Sequence, residues 1–212
     1  MNKQELFETA VAMVADNKGV LAADESTGTM GKRLDSIGVE NVEEKRRDYR
    51  EMMFRSNGIG NYISGVILYD ETIRQSAADG TTLVKVLQDA GVIPGIKVDA
   101  GAKELPGRSD EKITEGLDGL PGRVAEYYGL GARFAKWRAV IDIADGIPSR
   151  YAIHTNAHAL ARYAKNMPEN AGITTAGDFE GLAGTNGDNA HFDASGVLEL
   201  WQDRIKQARV LS

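Results

Sequence analysis

Apolar residues fall along this chain in two patterns, a helical spacing and short continuous runs, and over most of the sequence the two alternate. Residues 5–17 place Leu6, Phe7, Ala10, Val11, Met13 and Val14 on one helical face, with Lys18 and Gly19 as a cationic last turn and a stop. The run GVLAAD at 19–24 reads as a strand ending in a carboxylate, followed by a polar loop of Ser26, Thr27, Gly28 and Thr29. Residues 41–56 are charged and helical in pattern, with Val42, Tyr49, Met52 and Met53 as the buried positions, and ISGVILY at 63–69 is a second strand. A helix over 81–90 turns Leu83, Val84 and Leu87 inward and leads to a third strand, VIPGIKV at 92–98. A Gly- and Pro-bearing loop is expected over 100–122, a short helix over 124–130, a fourth strand at 132–140 and a helix over 155–166.

Strands that alternate with helices imply parallel crossovers and an α/β class. Buried parallel strands are apolar on both faces, so a charge near a strand's C-terminal end is the departure that needs a reason. There are three such charges, Asp24, Lys97 and Lys136. In a (β/α)8 barrel these ends converge on one face, which makes the three groups expected neighbours despite their distance in sequence. Singly, each is better explained by snorkelling or structural ion pairing; together at equivalent strand ends they point to a site. After Lys165 the character changes: residues 166–195 are Gly- and Asn-rich with no clear period, and 196–212 reads as an amphipathic helix capped by Ser195. The expected organisation is therefore a partial barrel domain over 1–165, an irregular segment over 166–195 and a terminal helix over 196–212. Four readable strands make an incomplete barrel, because a complete one needs eight strands and about 250 residues.

Composition narrows the function classes. A net charge of −6 argues against non-specific attraction to nucleic acid or to an anionic membrane surface, so any phosphate must be held locally. The absence of cysteine removes disulfides, thiolate metal sites and a cysteine nucleophile, and fits a reducing cytoplasm. Neither a membrane span nor a signal peptide is expected, since Glu5, Glu8 and Asp16 interrupt the first apolar helix. His154 and His158 stand four apart, but His154 is expected to precede its helix and no glutamate lies between them; His191 sits in the Gly-rich tail, and no metal or other cofactor is expected. Asp70 and Glu71 read as the loop closing the second strand, the charged face around Arg46 as solvated, and Trp137 as packing behind the fourth strand.

The segments LAADESTGT (21–29), SGVILYDET (64–72), PGIKVDAG (94–101), EGLDGL (115–120), FAKWR (134–138) and NAHALARYA (156–164) occur in the order in which they stand in class I fructose-bisphosphate aldolases, which the chain resembles over about 1–165. The resemblance implies a (β/α)8 fold and cleavage of fructose 1,6-bisphosphate to dihydroxyacetone phosphate and glyceraldehyde 3-phosphate, a glycolytic reaction that uses a lysine Schiff base. It implies that Asp24 positions substrate hydroxyls and assists proton transfer, and that Lys136 helps carbinolamine chemistry beside the imine nitrogen. It implies contact between substrate phosphate and Ser26, Thr29, Arg33, Lys97 and Arg138, with Arg46 a weaker candidate. The family's imine-forming lysine and its later acid–base glutamate find no matching segment after Arg162, so the Schiff-base lysine is unassigned and the rival reading is a relative that only binds sugar phosphates or a partner chain. Open sheet edges would favour a homo-oligomer.

Overall fold

Continuous apolar runs form parallel strands because both faces of each strand must be covered. The computed structural model describes residues 3–171 and 174–175. Its strands are β1 (Gly19–Ala23), β2 (Ile63–Leu68), β3 (Ile93–Lys97), β4 (Ala102–Leu105), β5 (Arg108–Thr114), β6 (Phe134–Lys136) and β7 (Thr174–Thr175). The order β1-β2-β3-β6-β7 is a single parallel sheet that follows the chain without reversal, while β4 and β5 form a separate antiparallel hairpin. Parallel neighbours need long connections. Helix α1 (Lys3–Met13) precedes the sheet. Helices α2 (Thr27–Asp35), α3 (Glu43–Phe54) and α4 (Ile59–Tyr62) join β1 to β2, and α5 (Asp70–Arg74) and α6 (Leu83–Asp89) join β2 to β3. The hairpin and α7 (Leu120–Gly129) lead to β6, and α8 (Arg150–Ala171) leads to β7.

Strand parity assigns the two faces of the sheet. Ala23, Val66, Leu68, Ile96, Val98, Ala135 and Trp137 belong to the main core with Phe54, Ile73, Leu83, Leu87, Val124, Tyr163 and Met167 of the helices. The alternate residues Ile67 and Phe134 cluster instead with Met13 of α1 and with Ile93. The helices other than α1 therefore cover one face, while the end of α1 packs against the alternate positions of the opposite face. Together with the sequential strand order, that is the wall of a barrel and not a doubly wound sheet. On the inner face the Phe134 ring lies over Gly65 and Gly95, the two positions where a side chain would collide with it.

Several elements differ from the sequence reading. The stretch expected as loop at 100–122 holds the β4–β5 hairpin, turned by Pro106 and Gly107, the latter at φ +81°. Proline then glycine at the two central positions is the type II pattern. The fourth strand is three residues long, not nine, and a fifth, β7, lies within the segment expected to be irregular. Helix α8 starts earlier than expected and continues past Pro168, so the 165/166 boundary proposed from composition falls inside it. Asp70 and Glu71 open helix α5 and do not lie in a loop. Of the apolar positions assigned to buried faces, Met52, Val42, Phe7, Val11 and Val14 are exposed, whereas Ala10 and Met13 are buried. The expected helix at 196–212 lies outside the described residues.

The supposed polar loop at 26–29 is the start of α2. Ser26 is its N-cap, accepting the Thr29 N–H at 3.3 Å, with the two hydroxyls 3.1 Å apart. Ser26→Ala should therefore cost about 1 kcal/mol of stability, while Ser26→Asp keeps the cap. Urea denaturation of the two variants checks this, and an equal loss in both would remove capping as the cause.

Candidate active site

Register and pleat together place the strand-end charges. Lys97 and Lys136 are direct register partners on β3 and β6, and both alternate with outward-facing core residues, as does Asp24 just past β1. All three therefore share the inner face. Lys136 Nζ donates to Asp24 Oδ2 at 2.8 Å, across residues 112 apart in sequence, with both side chains largely shielded. Lys97 Nζ stands 3.6 Å from Asp99 Oδ1. Each ammonium thus has a carboxylate of its own, although the two lysines end adjacent strands.

Helix α2 begins three residues beyond Asp24, which puts Ser26 at its N-cap and Thr29 and Arg33 on its first two turns. A helix N-terminus with hydroxyls and N–H groups directed outward favours an anion. Arg33 is exposed and ion-paired with Glu25, whose second oxygen is buried without a hydrogen-bond partner. Arg138 is exposed, and its main chain is bonded on both sides, by Asp99 at the N–H and by Thr114 at the carbonyl.

The neighbours of Lys136 in sequence are gripped from the helical side. Ala135 accepts a hydrogen bond from the Tyr163 hydroxyl of α8 at 2.9 Å, and the Trp137 ring packs against the Tyr163 ring with centroids 5.3 Å apart. Trp137 thus lies behind the lysine-bearing strand.

Arg46 is not on a solvated face, contrary to the sequence reading. It is buried, and its guanidinium makes a two-point contact with Glu71, Nε to Oε1 at 2.9 Å and Nη2 to Oε2 at 2.6 Å, plus a bond to Asn41. Arg50, fully buried one turn later, donates to the Glu25 carbonyl at 2.7 Å and lies 3.6 Å from Glu71. The hydrogen bond from Arg46 holds the Glu71 carboxyl below its ordinary value of 4.5. Burial lowers the pKa of Arg50, while the bond to Glu71 raises that of Arg46. This network sits directly behind Asp24 and Glu25 and fixes where their chain runs.

Sequence reasoning missed Glu25, Arg50, Glu71 and Asp99. Asp99 obeys the same strand-end rule that singled out Lys97, so a signal existed for it. Arg50 and Glu71 carried none, because their partners lie elsewhere in the chain. His154 and His158 are exposed on α8, and the described residues contain no group of three or more histidine or acidic side chains arranged to hold a metal ion. His191 lies outside the described residues.

A sequential parallel sheet with helices along its outer face and a lysine–aspartate pair at its strand ends is part of the wall of a (β/α)8 barrel, a fold whose sites form at the C-terminal face. More specifically, the chain belongs to the class I fructose-bisphosphate aldolase family, whose family model, described as "Fructose-bisphosphate aldolase class-I", matches residues 5–176. It is 58% identical over 164 residues to "Probable fructose-bisphosphate aldolase class 1" of Xanthomonas campestris, covering 77% of this chain and 49% of that protein. It is 55% identical over 166 residues to "Fructose-bisphosphate aldolase 6, cytosolic" of Arabidopsis thaliana, covering 78% and 46% respectively. Among solved structures, fructose-bisphosphate aldolase from Plasmodium falciparum, in complex with TRAP and a small-molecule inhibitor, superposes with a TM-score of 0.79 at 46% identity, over 82% of this chain and 50% of that one. The chain spans about half the length of the curated relatives it matches.

Proposed function

We propose that this chain carries the phosphate-binding and acid–base groups of a fructose-bisphosphate aldolase, a lyase that cleaves fructose 1,6-bisphosphate by way of a lysine Schiff base. The observation that carries the reading is the Lys136–Asp24 pair, 2.8 Å apart at the ends of β6 and β1 in a chain of this family. An ammonium donor beside a carboxylate acceptor can pass a proton to one substrate oxygen and take one from another, which is what carbinolamine dehydration and carbon–carbon cleavage require. In this reading Asp24 and Lys136 are catalytic, and Ser26, Thr29, Arg33, Lys97 and Arg138 bind the phosphorylated sugar. Guanidinium groups match phosphate in paired hydrogen bonds, and the α2 N-terminus adds main-chain donors. The cytosolic relatives support work in the cytoplasm. No described helix is long and apolar enough to cross a membrane.

A second reading is favoured by one feature of the sequence: no segment matches the family's imine-forming lysine. The 212-residue chain would then bind sugar phosphate without cleaving it. Borohydride reduction in the presence of dihydroxyacetone phosphate, followed by peptide mapping, separates the two. The expected result for this chain is phosphate-ester binding, little or no triose phosphate production in a coupled assay, and no reduced lysine adduct. An adduct on Lys136, lost in Lys136→Met together with chelator-resistant turnover, would show instead that the chain carries its own nucleophile.

A further inference from the structure

The segment GIKVD holds a second charged residue that the proposed phosphate site does not itself use. Asp99 lies just beyond β3 with its side chain only 2% exposed, and its two oxygens have different partners. Oδ1 accepts the Gly101 N–H at 3.1 Å and faces Lys97 Nζ at 3.6 Å, while Oδ2 accepts the Arg138 N–H at 3.2 Å from the chain leaving β6. At the other main-chain polar group of the same residue, the Arg138 carbonyl accepts the Thr114 hydroxyl at 2.7 Å. Thr114 ends β5 and is buried. The main chain of Arg138 is thereby clamped at both its polar groups, while the side chain stays exposed to reach a ligand.

Resting on the reading that Lys97 and Arg138 bind phosphate, we propose that Asp99 is a positioning residue that aims both cations at a single phosphate group, with Thr114 completing the clamp on Arg138. Charge alone argues the other way. A shielded carboxylate next to an anion site repels the anion, so on Coulombic grounds its removal should tighten phosphate binding. Positioning reverses the sign: without Asp99 the Lys97 side chain regains rotamers, Arg138 is held on one side only, and the ligand must order both. The direction of the change in affinity therefore decides between a bystander charge and a positioning one.

The test is titration of the isotope-labelled 212-residue chain with inorganic phosphate, followed by amide chemical shifts at constant ionic strength. Lys97→Met and Arg138→Met should each weaken binding. Asp99→Ala should weaken it about tenfold, the scale of one lost bond to a charged group, and Asp99→Asn, which keeps an acceptor oxygen, should fall between the two. Because Asp99 acts through Lys97, the Lys97→Met/Asp99→Ala pair should lose less than the product of the single losses. Affinity equal to or tighter than that of the parent chain in Asp99→Ala, with Lys97→Met and Arg138→Met still weakened, overturns the positioning role and leaves the phosphate assignment standing. Unchanged affinity in Lys97→Met and Arg138→Met overturns both. If Asp99→Ala does not fold, Asp99→Asn and Thr114→Val carry the test: Thr114→Val should weaken binding in the parent chain and change little in Arg138→Met, and equal effects in both backgrounds overturn the clamp.

Discussion

Glu71→Ala is expected to cost the fold about 3–5 kcal/mol, the range for leaving a buried charge without its counter-ion. Glu71 is the shared partner of two buried guanidinium groups, bonded to Arg46 at two points and 3.6 Å from Arg50. Its removal leaves the Arg46 guanidinium hydrogen-bonded to Asn41 alone and takes from Arg50 one of its two neighbouring carboxylates, Glu25 being the other. A domain's whole stability is about 5–15 kcal/mol, so this single change would bring the chain close to unfolding. Glu71→Gln keeps one acceptor and should lose less. Glu126→Ala, which breaks an exposed pair with Arg74, should barely move the urea midpoint. The pH dependence follows from the same contact. The folded carboxyl of Glu71 lies below its ordinary value of 4.5, so its stabilising contribution is complete above about pH 4.5 and disappears as pH falls through the lower, folded value. Acid unfolding should accordingly be shallower in Glu71→Gln than in the parent chain. A Glu71→Ala chain as stable as the parent would mean that the two arginines are satisfied without it.

Gly95→Ala should be the next most damaging change, at about 2–3 kcal/mol for overpacking a closed space. The added methyl would meet three carbons of the Phe134 ring at once, and β3 cannot move aside because β2 and β6 hold it on both edges. Gly65→Ala meets the same ring at 2.9 Å and should be destabilising in the same way. A double-mutant cycle identifies the cause. Phe134→Leu alone opens a gap and is also costly, but in combination with Gly95→Ala the two losses should partly cancel. Strictly additive losses would show that the ring is not what excludes a side chain at position 95.

The parallel strands were legible because burial on both faces writes them as unbroken apolar runs, and the strand-end charges stood out against those runs. Element ends were harder. The hairpin at 102–114 was hidden by its polar composition, since β5 reads RSDEKIT and tolerates Glu111 at a buried position only because Ser149 and Arg108 donate to it. Its turn, LPGR, was nonetheless readable. Arg46 and Arg50 looked like part of a solvated helix because their counter-ion, Glu71, stands 25 and 21 positions further on in sequence, and no local spacing encodes that pairing. Ser26 and Thr29 were recognised as chemistry-bearing residues but mistaken for loop, although a serine three residues before a threonine N–H is also what an N-cap looks like. The two-residue strand β7 is too short to have a period at all.

Strand β6 has mechanical consequences out of proportion to its three residues. Ala135 and Trp137, on either side of Lys136, are both fastened to one side chain of α8, the first through the Tyr163 hydroxyl and the second through its ring. The backbone of Lys136 is therefore tied to the middle of that helix, while its ammonium is held from the other side by Asp24. The two attachments lie one residue to either side of the lysine, so the same tyrosine that seats α8 on the sheet also sets the path of the chain through Lys136. The position of α8 is in that sense written into the strand end that presents Lys136 to Asp24.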